Sequence, residues 1–265
     1  VTINLDMPNK YKYNNLTLDL KLVKENKKII DDVYQLTVKG DFKPLAGQFI
    51  NIKLNNEALL LRRPISVYDA NHNSLSVIYR VVGAGTKELA SYKPGQELNI
   101  LGPLGNGFPL VKNKRVLIVG GGIGVPPMYF LAKMLKDEND ITFVLGFRSK
   151  SQIILENELK KYGDVFVATD DGSYGYHGNV LKFIEENKID FDVIYACGPT
   201  RMLEALDNRY CGKKEGYISF EERMACGIGI CYGCACKPKQ IERGMLRVCK
   251  EGPVFPLGVI SYDKA

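Results

Sequence analysis

The 265-residue chain carries 36 Lys and Arg against 30 Asp and Glu, a formal charge of +6, with 45% hydrophobic and 25% charged residues. These proportions exclude a disordered, collagen-like or coiled-coil chain and leave room for one large or two medium domains. The excess charge is spread thinly, with only short clusters such as Lys24, Lys27 and Lys28, so it reads as a solvated surface rather than a nucleic-acid face.

Two histidines cannot build a histidine-rich metal centre. The longest uncharged run, residues 116–132, is 17 residues long and is interrupted by Gly120, Gly121, Gly122, Gly124, Pro126 and Pro127. It falls short of the roughly 20 apolar residues that a spanning helix needs. No basic-then-apolar segment opens the sequence, and a cytoplasmic location is the expectation. Thiols stay reduced there and disulfides are rare, so the seven cysteines call for another explanation.

In chain order, residues 33–38 alternate with period two, and 48–54, 75–82 and 96–101 are similar, separated by turns such as Lys93-Pro94-Gly95 and Gly102-Pro103. Short strands at this spacing predict a small antiparallel barrel. From about Asn113 the rhythm changes. Strands at 115–119, 141–145, 165–168 and 193–196 alternate with helices to about Lys136 and at 151–162, 179–187 and 200–207. That alternation predicts a parallel sheet covered on both faces. Beyond Tyr217-Ile218-Ser219-Phe220 the pattern gives way to a tail rich in cysteine and glycine. The fold class is therefore α/β plus all-β, divided into a barrel at 1–110, a nucleotide-binding domain at 111–215 and a metal module at 216–265.

Within the barrel region, Arg62-Arg63-Pro64-Ile65-Ser66 offers guanidinium groups suited to a pyrophosphate, and Ser66 a hydroxyl for a ring nitrogen. Ile78-Tyr79-Arg80 adds an aromatic ring and a further cation. Gly85-Thr86 precedes a short helical segment, 87–92, whose first amides can cap a phosphate. In the α/β region, the strand 116–119 runs into Gly120-Gly121-Gly122-Ile123-Gly124 and then a helix, the arrangement of a dinucleotide site. The third glycine of the usual fingerprint is replaced by Pro126-Pro127, and no acidic residue ends the second strand, where Gly146-Phe147-Arg148-Ser149 stands. Asp170 and Asp171 end the third strand instead, either as a solvated turn or positioned to accept ribose hydroxyls and repel a 2′-phosphate; the latter favours NAD over NADP, while Arg148 argues the other way. Cys197-Gly198-Pro199 follows the last strand of the unit, at the edge where ligands bind, and Cys197 is either a nicotinamide contact or a structural thiol.

Cys226, Cys231 and Cys234 are spaced C-x4-C-x2-C, and Cys249 follows after fourteen residues. This is the plant-type [2Fe-2S] spacing with a distant fourth ligand. Gly227, Gly229 and Gly233 let the loop wrap a compact inorganic core and aim backbone N–H groups at its sulfurs. The rival is a four-cysteine zinc site, which more often uses two C-x2-C knuckles. Cys236 reads as a bystander or outer thiol, and Cys211 as structural.

Taken together, Arg63-Pro64-Ile65-Ser66, the turn from Gly120 to Pro127, Cys197-Gly198-Pro199 and the cysteine module resemble the ferredoxin–NADP reductase superfamily. More narrowly, Leu61-Arg62-Arg63-Pro64-Ile65-Ser66, Gly102-Pro103-Leu104-Gly105-Asn106-Gly107-Phe108, the Gly120–Pro127 turn, Thr169-Asp170-Asp171-Gly172-Ser173-Tyr174-Gly175 and Arg223-Met224-Ala225-Cys226-Gly227-Ile228-Gly229 resemble the electron-transfer subunits of B-type dihydroorotate dehydrogenases. The resemblance spans about Val33 to Phe255; the first thirty residues carry none of it. It implies FAD in the barrel, contacted by Arg63, Pro64, Ile65, Ser66, Ile78, Tyr79, Arg80, Gly85 and Thr86. Ile65 stands where many superfamily members place a tyrosine against the flavin. It also implies NAD at Gly121, Gly122, Gly124, Asp170, Asp171, Cys197 and Gly198, and [2Fe-2S] on Cys226, Cys231, Cys234 and Cys249.

The implied partner is an FMN-containing catalytic subunit that oxidises dihydroorotate to orotate in pyrimidine biosynthesis, in a heterotetramer of two copies of each chain. Electrons would run from that FMN to the cluster, then FAD, then NAD+, and this chain would need no acid–base pair or dihydroorotate site of its own. Two alternatives keep the same motifs or some of them. One is an NAD(P)H-dependent reductase subunit serving a hydrogenase or ferredoxin; the other is a zinc-stabilised nucleotide-binding module without a redox role.

Overall fold

The structure, a computed structural model, describes residues 16–239 and 244–263. The first fifteen residues, assigned from sequence to the barrel unit, lie outside the described residues, as do four positions and the last two residues of the cysteine module. Strands β1 (Thr17–Ile30), β2 (Val33–Lys39), β3 (Phe49–Lys53), β4 (Arg63–Asn71), β5 (Ser74–Arg80) and β6 (Glu97–Leu104) close into an antiparallel barrel in the order β1-β2-β5-β4-β3-β6. Helix α1 (Ala84–Leu89) lies between β5 and β6 in the chain. Alternate residues of β3 and β6, Ile50, Ile52, Leu98 and Ile100, are fully buried. Each such side chain stabilises the fold by about 1.5–3 kcal/mol over leaving it in water.

Two barrel strands go beyond the sequence expectation. β1 bends across the barrel, pairing with β6 through residues 17–22 and with β2 from Val23 onward, which is what closes the sheet. Its Leu18, Leu20 and Leu22 alternate as a strand should but point outward, 63%, 54% and 40% exposed, so the hydrophobic pattern does not report a core face. β4 carries Pro64 at its second residue, a position where a strand tolerates the missing N–H.

The second unit is a seven-stranded sheet in the order β10-β9-β8-β7-β11-β12-β15. Its strands are β7 (Arg115–Gly121), β8 (Asp140–Phe147), β9 (Asp164–Thr169), β10 (Tyr176–His177), β11 (Val193–Cys197), β12 (Glu215–Ser219) and, much later in the chain, β15 (Val254–Pro256). All neighbours run parallel except β12 and β15. Helices α2 (Val125–Leu135), α4 (Val180–Glu186) and α5 (Thr200–Tyr210) form where the sequence places them. The helix expected at 151–162 is a correction: the chain makes a single 3-10 turn at Lys150–Gln152, extends at Ile153, turns left-handed at Leu155 and completes only α3 (Glu156–Leu159). The β-branched pair Ile153-Ile154 interrupts the helix, and Ile154, Leu155 and Leu159 are buried in the core instead.

The cysteine-rich tail leaves the sheet after β12, forms a two-stranded ribbon from β13 (Ala235–Cys236) and β14 (Leu246–Arg247), and returns as β15 to pair with β12. It is also fastened to the barrel side. The Asn106 amide donates to the carbonyls of Lys250 and Glu251 at 3.1 and 2.9 Å. Barrel and sheet meet where Tyr68 of β4 packs on Tyr129 of α2, ring centroids 4.7 Å apart, beside the Lys133–Asp69 ion pair at 2.7 Å. Phe108, just past β6, stands edge-on to Tyr195 of β11 at 5.5 Å. Tyr195 is fully buried, and its hydroxyl donates to the Pro109 carbonyl at 2.7 Å. Tyr195→Phe strands that carbonyl and is expected to lower stability by about 1–2 kcal/mol in urea denaturation; an unchanged midpoint would show that this bond does not help hold the two units together.

Candidate functional site

The flavin-motif residues sit where the barrel opens. β4 pairs with β3 through residues 63–66 but with β5 only from Val67 onward. Ahead of the Val67–Val77 pair the two strands part, leaving Arg63 to Ser66 on one lip and Ile78 to Arg80 on the other, the latter paired only to β2. The two lips differ in what they present. Ile78 and Tyr79 are buried, and Tyr79 stacks on Tyr34 and donates its hydroxyl to Asn26 Oδ1 at 3.1 Å, so neither offers a side chain to the gap. Arg80 is half-buried beside Asp32 at 3.5 Å, with its Nε otherwise unbonded.

The two arginines of the motif have separate jobs. Arg62 donates to the Asn51 and Asn99 carbonyls at 3.1 and 3.2 Å and to Asn99 Oδ1 at 2.6 Å, tying β3 to β6. Arg63 donates to the Leu61 carbonyl and lays its guanidinium on Gly85, so closely that any Cβ at 85 would collide with it. α1 begins earlier than expected, at Ala84, because the Thr86 hydroxyl accepts from the Val82 and Gly83 amides at 2.9 and 3.2 Å and fixes the first turn. Gly85 and Thr86 therefore lie inside the helix, not before it. A guanidinium beside the positive end of a helix is favourable when an anion lies between them. Leu60, Leu61 and Val82, on the two segments this contact joins, are 85%, 55% and 80% exposed, an apolar rim suited to a large aromatic ligand. A dinucleotide carrying a pyrophosphate and flat rings, FAD, fits this opening.

The nucleotide residues lie at the carboxyl edge of the parallel sheet. β8 and β9 lead away on one side of β7, and β11 and β12 on the other, so the crevice between β7 and β11 is the switch point where such sheets bind ligands. The structure distinguishes the glycines there. A Cβ on Gly124 would stand 2.5 Å from the Cys197 carbonyl oxygen and 2.6 Å from Gly198 Cα; one on Gly121 would meet Pro199 and Met202; one on Gly198 would meet the Gly121 backbone at 2.9 Å. These three pack β7 against the turn after β11. Gly122 alone is open, with no atom within 4 Å and φ +51°, and it leaves the backbone bare toward a ligand. Cys197 is fully buried in register with Gly120 and Ser219, and burial pushes its thiol well above the usual range.

Asp170 and Asp171 are exposed at the end of β9, two strands and so roughly 10 Å from β7. The Ser173 hydroxyl and amide, at 2.6 and 2.9 Å, hold the Asp171 carboxyl below its ordinary range and commit it to the turn, whereas Asp170 has no such tie.

The cysteines pair two by two. Cys226 and Cys231 are hydrogen-bonded to one another, as are Cys234 and Cys249. Backbone amides surround them: Gly229 N–H donates to Cys249 Sγ at 3.1 Å, Gly233 to Cys231 at 3.3 Å, Ile230 and Cys231 to Cys226 at 3.4 and 3.5 Å, and Cys249 to Cys234 at 3.4 Å. Burial opposes charge on Cys226, yet these donors bring its thiol down to about 7; the bond from Cys249 takes Cys234 down to about 6 and drives Cys249 the other way. Among the described residues no three His, Cys, Asp or Glu side chains converge as the ligands of one ion would. Two adjoining thiol pairs lined with amides suit two bridged irons better than one zinc. Cys236 is buried, its thiol raised to about 12 by that burial. Cys211 lies apart, against Gly258.

Sequence reasoning missed Asn51. It is a fully buried amide on β3, and its Nδ2 packs on Gly227 of the cysteine loop. The only signal was a polar residue inside an otherwise apolar strand.

Known proteins resemble this chain over the same regions. A family model described as the iron-sulfur cluster binding domain of dihydroorotate dehydrogenase B matches residues 221–260, and one for an oxidoreductase NAD-binding domain matches 118–208. Curated relatives include the dihydroorotate dehydrogenase B (NAD(+)) electron transfer subunits of Bacillus velezensis, 44% identical over 88% of this chain and 94% of the relative, and of Shouchella clausii, 45% identical over 91% and 96%. Among solved structures, a chain of an NADH-dependent reduced ferredoxin–NADP oxidoreductase, described in a study of flavin-based electron bifurcation, superposes with TM-score 0.83 at 29% identity over 92% of this chain and 90% of that one. Flavohemoglobin from Malassezia yamatoensis shares the fold alone, with TM-score 0.64 at 18% identity over 74% and 58%.

The packing at the crevice sets a contrast between two glycines. Gly124→Ala forces backbone apart and is expected to cost several kcal/mol and abolish NADH binding. Gly122→Ala meets open space in the free protein and is expected to cost stability only through the left-handed conformation, about 1–2 kcal/mol, while its methyl, facing the ligand, weakens NADH binding. Chemical denaturation and NADH titration of both variants check this; equal losses would contradict the separate roles.

Proposed function

This chain belongs to the family of electron transfer subunits of dihydroorotate dehydrogenase B (NAD+), and on that premise we propose how its residues serve that role. It is an oxidoreductase subunit that carries electrons from the dihydroorotate dehydrogenase catalytic subunit to NAD+, in pyrimidine biosynthesis, and its cofactors are FAD, a [2Fe-2S] cluster and NAD. When bound, the cluster supplies one-electron transfer, the nicotinamide two-electron hydride chemistry and the flavin the exchange between them.

The protein's task is to hold the three groups. Unit 1–110 holds FAD in the gap between β4 and β5, with Arg63 and the first turn of α1 on the pyrophosphate and Pro64, Ile65 and Ser66 along the ring. Unit 111–215 holds NAD at the switch-point crevice, with Gly122 toward the phosphates, Gly121, Gly124 and Gly198 keeping the strands close, Asp170 toward a ribose, and Cys197 buried behind the nicotinamide place. Unit 216–265 would hold the cluster on Cys226, Cys231, Cys234 and Cys249. The observation that carries the reading is the amide-lined pairing of those cysteines in a loop that packs, through Gly227, on the barrel strand beside the flavin motif.

The partner docks over the cluster loop, where Cys231 is exposed between Ile230 and Tyr232, apolar side chains 73% and 54% exposed. Arg247 lies over the Tyr232 ring at 4.8 Å and steadies that surface. The partner carries FMN, and two copies of each chain assemble. A cytoplasmic location is part of the proposal; among the described residues no helix is long and apolar enough to cross a membrane.

Purified alone, the chain is expected to have its flavin reduced by NADH and not by dihydroorotate; turnover of dihydroorotate by the isolated chain would contradict the division of labour. Cys226→Ser, Cys231→Ser, Cys234→Ser and Cys249→Ser are each expected to lose the cluster's visible absorption, while Cys236→Ser and Cys211→Ser keep it. Bleaching by Cys236→Ser together with an unaffected Cys249→Ser would overturn the ligand assignment.

A further inference from the structure

Few buried side-chain atoms among the described residues lack a hydrogen bond, and both polar atoms of Asn51 are among them. Asn51 is fully buried at the middle of β3, opposite Pro64 on β4 and Leu101 on β6. Its main chain is held firmly, since its carbonyl accepts from Arg62 Nη1 at 3.1 Å.

Strand alternation sends Ile50 and Ile52 into the barrel core and turns Phe49 and Asn51 to the outer face. Pairing puts Pro64 and Ser66 of the flavin motif on that same outer face, opposite Asn51 and Phe49 respectively, about 5 Å away between Cβ atoms. On the other side, Nδ2 lies 2.5 Å from where a Cβ on Gly227 would stand, next to the cluster ligand Cys226. The amide thus occupies the seam between the flavin face and the cysteine loop.

Burying an amide with neither group bonded is unfavourable, and a leucine of similar shape would fill this seam at lower cost. The amide gains a reason when a hydrogen-bond acceptor arrives with the cofactors, and the sulfurs wrapped by the loop are acceptors. Hydrogen bonds to the sulfurs of such a cluster favour its more negative, reduced form and raise its potential.

We propose that Asn51 is the barrel's hydrogen-bond donor to the iron–sulfur cluster, its Nδ2 donating to sulfur at Cys226, and that it thereby sets the cluster's potential relative to the flavin. The proposal rests on the [2Fe-2S] reading of the loop. Its test is a potentiometric titration of the full chain, reconstituted with iron and sulfide and followed by electron paramagnetic resonance. A wild-type sample with no binuclear signal would refute the cluster reading itself.

With that signal present, Asn51→Leu is expected to keep the signal and the flavin content but shift the midpoint potential to more negative values. Its apoprotein is expected to melt at or above the wild-type temperature, because an unbonded polar group has been removed from the seam. Asn51→Ala also lacks the donor and gives the same negative shift, which covers the case of a leucine that blocks cluster uptake. An unchanged midpoint in the variant that takes up the cluster, or a leucine apoprotein that melts below wild type, would overturn the proposal; the latter outcome would make Asn51 a structural residue only.

Discussion

The hydrogen bonds from backbone N–H to cysteine sulfur in the loop after β12 are the interactions on which the rest of this molecule depends. Thiolates repel one another, and gathering four of them is unfavourable unless positive charge and hydrogen-bond donors surround them. The loop meets that requirement with main chain rather than side chains: the amides of Gly229, Ile230, Cys231, Gly233 and Cys249 all point at sulfur. Histidine and lysine need not take part, and the loop can stay thin enough for Cys231 to reach the surface while Cys234 and Cys249 stay buried.

A second constraint follows from electron transfer, which needs its carriers close together. The fold meets it by stitching the tail to both larger units. β15 returns to β12 and brings the loop to the carboxyl side of the parallel sheet, Asn106 clamps the Lys250-Glu251 main chain to the segment after β6, and Gly227 settles on β3. The barrel opening between β4 and β5, the crevice between β7 and β11 and the cysteine pairs are thereby three faces of one packed assembly.

The cysteine module was legible because ligand spacing is a chemical signal, and the parallel sheet because β-branched runs ending in glycine turns leave few other readings. The barrel was only partly so. β1 carries its alternating leucines on the outside, which inverts the usual cue, and the interrupted helix before Glu156 shows two isoleucines overriding an otherwise helical spacing. Site residues were legible by type but not by task. Arg62 and Arg63 look equivalent in sequence, yet one ties strands together and the other meets Gly85. Four glycines of one turn look alike, yet only Gly122 faces open space. Asn51 showed only as a polar residue between Ile50 and Ile52, because its meaning depends on a loop far along the chain.

The iron–sulfur assignment is tested most directly by the state of the iron in the protein as isolated, read by electron paramagnetic resonance before and after reduction with dithionite, alongside iron and acid-labile sulfide analysis. A silent oxidised sample, the signal of a spin-coupled iron pair on reduction, and iron and sulfide in equal amounts are expected. Stoichiometric zinc with neither iron nor sulfide, in a properly matured sample, would contradict the assignment.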